Sequence, residues 1–258
     1  MNRFPPSSFY HWAEPVNLPS IRQHGLLSTE RLISLAGLND AKKNDLLSQH
    51  RPHRVELPNG IVIRDQTPMP PDLLTKALTP GVSPSDWYRL LNGFIFLWGS
   101  FERAERHRAA FGRSSQVLLV FDAALLLAEF GDRVLVSPIN SGNARRRPAP
   151  RSPRLFVPYH EWSELGWPVI EGQRRSRSVL PAEIVLEGHL PLEPFLTGMR
   201  KMPGVGTPSR FEPVTGEEKR DVRLTAAFSK DEKRARLDRL ATNSTRRLQQ
   251  LLTTFAFL

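Results

Sequence analysis

The sequence predicts a mixed α and β protein made of short strands and short helices. Aromatic and apolar runs such as residues 9–13 and 94–98 have the length and composition of strands. Asn59-Gly60 lies between two further apolar runs, which is a strong signal for a β-hairpin. Ser83-Pro84, with an acidic residue close behind, is typical of a helix start. The chain contains no internal repeat.

The predicted strands are short, and the continuous apolar character of residues 94–98 predicts a buried strand. The hairpin at Asn59-Gly60 pairs two strands, of which the second ends at Arg64. In chain order, the predicted strands are 9–13, 54–57, 61–64, 94–98, 116–121, 134–137, 155–158 and 183–186.

The predicted helices begin at capping side chains, and several end at a glycine. Asn17 is the predicted cap of the first helix, which has Pro19 in its first turn and ends at Gly25. Ser28 and Asp122 are the predicted caps of two later helices. After the first helix, the predicted helices are 29–36, 40–49, 71–78, 84–92, 101–111, 123–130 and 160–165.

The composition is that of a globular protein, with 258 residues, of which 40% are hydrophobic and 24% charged. The absence of cysteine excludes a disulfide scaffold, a thiolate metal site and a cysteine nucleophile, and it fits a reducing cytoplasm. The histidines are scattered and HExxH is missing, so no metal site is expected. The first residues lack the apolar run of a signal peptide, and the longest apolar run, 117–130, is interrupted by acids. A soluble, cytoplasmic protein without a membrane partner is therefore expected.

The net charge of +10 predicts a polyanionic partner, most often nucleic acid, although a generally basic surface is the alternative. The segment 144–154 is rich in arginine and proline, so we expect it to be extended or mobile, outside the core and attractive to phosphate. It includes Arg145, Arg146 and Arg147.

Glycine and proline residues from 197 onward predict a linker, and a capping box at 229–232 precedes an amphipathic basic helix. We therefore divide the chain into a main domain, 1–195, and a basic linker with a C-terminal helix, 196–258. That helix either docks through its apolar stripe or binds a partner or a second copy.

The first strand, helix and turn resemble the opening of the DarT-type ADP-ribosyltransferases. The family begins with a strand that carries a histidine, an asparagine-led helix and a Gly-Leu-Leu-Ser-like turn. The matching positions are His11, Asn17, Leu18, Ser20, Ile21, Gly25, Leu26, Leu27 and Ser28. A second match, to the strand with the family's catalytic glutamate, is formed by Ala182, Glu183, Ile184, Val185 and Pro191. The chain also resembles a set of uncharacterised bacterial proteins through 63–69, 87–92 and 137–144.

The resemblance implies an α+β ADP-ribosyltransferase-like fold, with two small sheets around a cleft that binds NAD. It implies that Glu183 is the catalytic carboxylate, with Glu187 as the alternative, and that Arg64 holds the pyrophosphate. It further implies that NAD contacts His11, Asn17, Ser20, Gly25 and Leu26, with Phe96 or Trp98 as the aromatic that stacks on nicotinamide. The loop before the glutamate, which faces the acceptor in this class, carries Arg174, Arg175 and Arg177.

The implied function is transfer of ADP-ribose from NAD to DNA or RNA by a bacterial toxin or phage-defence effector, which could have an antitoxin partner. One alternative is a protein-directed ADP-ribosyltransferase or an NAD hydrolase of the same fold. The other is a nucleic-acid-binding module that keeps the fold without the chemistry.

Overall fold

A computed structural model describes residues 4–108, 114–145 and 149–204. The strands in this part of the chain are β1 Ser8–Ala13, β2 Leu26–Leu27, β3 Val55–Glu56, β4 Val62–Ile63, β5 Phe94–Leu97, β6 Gln116–Asp122, β7 Val134–Ser137, β8 Val157–Pro158, β9 Glu183–Glu187, β10 His189–Leu190 and β11 Leu196–Met202. The helices are α1 Leu18–His24, α2 Thr29–Leu35, α3 Asp40–Ser48, α4 Pro71–Ala77, α5 Pro84–Asn92, α6 Phe101–Arg108, α7 Ala123–Phe130 and α8 Tyr159–Leu165, with short 3₁₀ turns at Pro15–Asn17 and Pro153–Leu155.

Two antiparallel sheets form the framework of the described residues. One has three strands in the order β1-β6-β11, and the other has four in the order β5-β9-β7-β8. Tyr10 and Trp98 join the two sheets by exchanging backbone hydrogen bonds of 3.0 Å in both directions. The pairs β2–β10 and β3–β4 form two smaller antiparallel ladders. The chain is therefore an α+β protein, as the sequence predicts.

The core lies where the two sheets meet the apolar faces of the helices. β6 and β9 are the most enclosed strands, and Leu119, Phe121, Ile184, Val185 and Leu186 are each 0% exposed. Their continuous apolar sequence explains this burial, because a strand covered on both faces needs apolar side chains on both. A second cluster packs α2 and α3 against the β3–β4 hairpin.

The predicted caps Ser28 and Asp122 are confirmed, and Ser83, at a predicted helix start, is also a cap. Each side chain accepts a backbone N–H from the first turn of its helix, and Ser83 forms a full capping box with Asp86. Asn17 precedes α1 as predicted, but its side chain does not cap the helix. Instead it donates to and accepts from the backbone of Val62, with both hydrogen bonds at 2.8 Å. Asn17 therefore fastens the start of α1 to the β3–β4 hairpin.

The prediction that segment 144–154 lies outside the core is wrong for part of its length. Arg151 is 2% exposed, Ala144 is 1% exposed and Ser152 is 5% exposed. The guanidinium of Arg151 is buried because backbone carbonyls surround it and accept its hydrogen bonds. Arg145 is exposed, and Arg146 and Arg147 lie outside the described residues.

The predicted linker begins later than 196, because Leu196–Met202 forms the edge strand β11 beside β6. Gly198 belongs to the glycine and proline pattern that predicted a linker, but the strand accommodates it at a register shift between Leu196 and Gly198. The remaining linker and the predicted C-terminal helix lie outside the described residues, as does the end of the predicted helix 101–111. Within the described ranges, every helix is too short or too polar to cross a membrane.

Candidate functional site

A cavity of about 810 Å³ opens beside the junction of the two sheets. Its wall includes residues from β1, β4, β5 and α1, from the segments that follow β4 and β7, and from the start of β9. Both sheets therefore contribute to one concave site. Its volume lies within the range of about 300–1,000 Å³ that is typical of small-molecule sites.

The cavity brings together all nine residues that the sequence assigns to catalysis or cofactor binding. They are His11, Asn17, Ser20, Gly25, Leu26, Arg64, Phe96, Trp98 and Glu183. Arg145 also lines the cavity, whereas Arg174, Arg175 and Arg177 do not. Those three lie in the segment between α8 and β9, where Arg174 and Arg177 are exposed and Arg177 donates to the carbonyl of Ser163 at 2.8 Å.

Glu183 is the first residue of β9 and is only 4% exposed. Its Oε2 accepts two hydrogen bonds from Ser141, at 3.0 Å from the backbone N–H and at 2.7 Å from the hydroxyl. Burial raises the pKa of Glu183 to about 7, and the two hydrogen bonds and the charge of Arg151 oppose that rise. A carboxyl that titrates near neutral pH is suited to general acid–base work.

Arg64 directly follows β4 and is held by Glu14, which follows β1, and by Gln116, the first residue of β6. Its Nε lies 3.3 Å from Oε1 of Glu14, and its guanidinium also donates to Oε1 of Gln116. Burial lowers the pKa of Arg64, while Glu14 and Asp65 oppose that change. Arg64 therefore brings a positive charge to the cavity wall, with the carboxylate of Glu14 beside it.

The backbone of Arg64 is itself fixed by a buried arginine. Arg51 donates from Nε to the carbonyl of Arg64 at 3.3 Å and from a terminal nitrogen to Asn92 at 2.9 Å. The main chain of Arg51 exchanges hydrogen bonds with Gln66. Burial lowers the pKa of Arg51 to about 10. The segment that carries Arg64 is thus attached to α5 rather than being a free loop.

His11 lies in β1 with its Nδ1 at 2.8 Å from the carbonyl oxygen of Phe96. A carbonyl only accepts, so Nδ1 carries the proton and Nε2 keeps a lone pair. Burial lowers the pKa of His11 to about 4, the bond to Phe96 opposes the shift, and the charge of Arg64 adds to it. His11 is therefore neutral at pH 7 and can accept a hydrogen bond from a ligand.

Aromatic rings form the wall next to His11. The ring of His107 lies 4.3 Å from that of Trp98, at an interplanar angle of 35°. Burial, followed by the charge of Arg64, lowers the pKa of His107 to about 3. Trp98 also packs with Trp12, Ala104 and Leu118, so it is a core residue and a cavity residue at once. The flat faces of these rings favour a planar aromatic group that can stack on them.

Sequence reasoning missed the side chains that hold the predicted ones in place. These are Glu14, Arg51, His107, Gln116, Ser141 and Arg151. Glu14 and Gln116 had no motif around them, and a serine in a loop is uninformative by itself. The one signal that could have indicated Arg151 was the presence of arginine in segment 144–154. That signal led us to predict an exposed segment instead. Within the described ranges, no group of three or more His, Asp or Glu side chains has a metal-binding arrangement.

The fold and the cavity define an α+β protein with a ligand-sized polar and aromatic site between two antiparallel sheets. A family model described as a family of unknown function (DUF7002) matches residues 7–193, so the chain belongs to that family. A search of curated proteins gave no match. The matched range contains every element that lines the cavity.

Proposed function

We propose that this protein is an NAD-dependent ADP-ribosyltransferase whose acceptor is nucleic acid. The observation that carries the proposal is a buried glutamate with a pKa near neutrality in the same cavity as Arg64 and His11. His11 lies in β1, Arg64 directly follows β4 and Glu183 begins β9, so the three are far apart in the sequence. Their meeting in one cavity supports a built active site.

The residues of the cavity match the chemical parts of NAD. Arg64 supplies the positive charge that a pyrophosphate needs, and the neutral His11 can accept a hydrogen bond from a ribose hydroxyl. Phe96 and Trp98 provide flat surfaces for a nicotinamide or adenine ring. In this proposal, Asn17 and Gly25 shape the cavity, because the side chain of Asn17 is already bound to Val62.

Glu183 supplies the chemistry in the proposed reaction. Its carboxylate stabilises the positive charge that develops on the ribose as the bond between ribose C1′ and the nicotinamide nitrogen breaks. The electron pair of that bond leaves with nicotinamide, which becomes neutral. A nitrogen or oxygen of the acceptor forms the new bond to C1′, and Glu183 takes the proton that the acceptor loses.

The charge of the molecule favours a nucleic-acid acceptor over a neutral one. The net charge is +10, and Arg145 is exposed at the wall of the cavity. Arg174, Arg175 and Arg177 lie in the segment between α8 and Glu183, outside the cavity, and in this proposal they bind phosphates of the acceptor. In this proposal the protein is a bacterial toxin or phage-defence effector.

The decisive experiment incubates the protein with labelled NAD and separate pools of DNA, RNA and protein. We expect transfer of label to a nucleic-acid pool, and its loss in Glu183→Gln. Glu187→Gln is the matched control, because Glu187 is an exposed carboxylate at the other end of β9. Activity that survives in Glu183→Gln and disappears in Glu187→Gln would refute the assignment of the catalytic residue.

The same experiment separates the other classes of function. Label on protein alone would identify a protein-directed transferase, and release of nicotinamide without transfer would identify an NAD hydrolase. For a non-catalytic nucleic-acid-binding module, saturating NAD would leave the thermal stability unchanged. A bound ligand at a hundredfold excess over its dissociation constant instead adds about 2.7 kcal/mol.

A further inference from the structure

We propose that Ser141 and Arg151 are positioning residues that fix the carboxylate of Glu183 with Oε1 directed to the substrate. Arg151 acts by holding the loop that carries Ser141, and Ser141 acts by holding Oε2. The inference rests on the proposed function for the identity of the substrate. The hydrogen bonds that it describes do not depend on that function.

The two hydrogen bonds from Ser141 both reach the same oxygen of Glu183. The backbone N–H is 3.0 Å from Oε2 and the hydroxyl is 2.7 Å from it, and Ser141 is 0% exposed. Among the described residues, no hydrogen bond is directed to Oε1. Two donors on one oxygen fix the plane of the carboxylate and leave the other oxygen for a ligand.

The loop is in position because β7 ends directly opposite Glu183. Ser137 and Glu183 are partners in the β7–β9 ladder, so the chain that leaves β7 begins beside the carboxylate. The hydroxyl of Ser137 donates to the carbonyl of Ile139 at 2.8 Å and turns the chain back. Ser141 thereby reaches Glu183 without crossing the cavity.

Arg151 holds this loop through backbone carbonyls. Its guanidinium donates to the carbonyls of Asn140 and Ser141, both at 3.3 Å, and also to that of Asn143. A fourth hydrogen bond, of 2.9 Å, goes to the carbonyl of Ala149. Because the planar fork matches several carbonyls at once, a flexible ammonium cannot reproduce this arrangement.

The clamped loop also forms part of the cavity wall. Asn140, Gly142 and Asn143 line the cavity, and the backbone N–H of Ala144 donates to the carbonyl of Pro68 at 2.9 Å. Pro68 belongs to the segment that follows Arg64. The loop therefore connects the surroundings of Glu183 to those of Arg64, and its position affects both.

The test measures the ionisation of Glu183 directly in the full-length protein. NMR spectra of protein labelled with ¹³C at the glutamate carboxyls give one titration curve per residue, and the signal of Glu183 is the one absent in Glu183→Gln. In Ser141→Ala we expect the pKa of Glu183 to rise by about one unit or more, because a hydrogen bond to the ionised form is lost. Ser152→Ala is the matched control: Ser152 is a buried serine that bonds Glu171 and not Glu183, so the pKa should not move.

Arg151→Lys gives the second arm, because it keeps the positive charge but removes the fork. We expect the pKa of Glu183 to rise in this variant as well. In each of the two variants, the acidic limb of the pH–activity profile should move to higher pH by the same amount as the pKa of Glu183. An unchanged pKa in Ser141→Ala would overturn the proposal even if the protein transfers ADP-ribose. Because the titration requires neither NAD nor turnover, a raised pKa would support the positioning role even if the proposed reaction fails.

Discussion

Replacing Glu183 by glutamine should make the protein more stable at alkaline pH, although it removes the carboxyl group that we propose to be catalytic. The folded protein holds the pKa of Glu183 at about 7, against 4.5 for an ordinary glutamate. Between these two values the folded state binds more protons than the unfolded state does. Stability from this group is therefore present at low pH and is lost as the pH rises through 7.

The size of the effect follows from the shift in pKa. Each pKa unit corresponds to about 1.4 kcal/mol, so the shift of Glu183 corresponds to about 3 kcal/mol between the two limits. Glutamine keeps an oxygen that can accept the hydrogen bonds of Ser141 but carries no charge to desolvate. We therefore compare the free energies of unfolding of the two proteins. Relative to the wild type, Glu183→Gln should gain about 3 kcal/mol between pH 4.5 and pH 8.

Urea denaturation of both proteins at several pH values measures this difference. His11 and His107, whose pKa values are lowered, destabilise the folded state as the pH falls below 6.5, but they do so in both proteins and cancel. Glu187→Gln is the control, because Glu187 is an exposed carboxylate at the other end of the same strand. If the difference in unfolding free energy between Glu183→Gln and the wild type does not change with pH, burial does not raise the pKa of this carboxyl.

Three further predictions concern other parts of the site. Arg64→Lys should weaken NAD binding, measured by calorimetry, because a point charge cannot replace a bidentate fork; unchanged affinity would remove Arg64 from the site. Gly25→Ala should lower the melting temperature far more than Gly60→Ala, because both glycines have positive φ but only the added Cβ at Gly25 meets a carbonyl, at 2.5 Å. Equal losses would show that the close approach does not matter. Alanine replacement of Arg174, Arg175 and Arg177 should make nucleic-acid binding less dependent on salt, with NAD affinity unchanged. The log–log slope of affinity against salt should fall by roughly 0.7–0.9 for each phosphate contact that is lost, and an unchanged slope would contradict the prediction.

Local signals were sufficient to predict most of the fold. The predicted helix starts at Ser28, Ser83 and Asp122 agree with the structure. Capping joins a side chain to the backbone only a few residues away, so it can be predicted from local sequence. Local reasoning failed where a side chain forms its hydrogen bonds with a residue that is distant in the sequence. Asn17 has the residue type of a cap, but it bonds Val62, which only the tertiary fold brings near.

The candidate site was predictable as a set of residues but not as a geometry. The sequence indicated Glu183, Arg64 and His11, and the structure places them in one cavity. It did not indicate Ser141, because a serine in a loop has no special pattern. It assigned Arg151 to the surface, because arginine-rich segments usually are solvated and only enough carbonyl partners make a buried guanidinium tolerable. Those partners come from a loop whose path the sequence does not reveal.

The pairing of β1 with β6 has a consequence for how the protein is made. Ser8 is opposite Asp122 in that ladder, so the strand that carries His11 waits for a partner synthesised more than a hundred residues later. Pairing between such distant segments makes folding slow, because a long loop must close before any contact is gained. Glu183 leaves the ribosome later still. A nascent chain therefore contains no complete cavity until β9 is released.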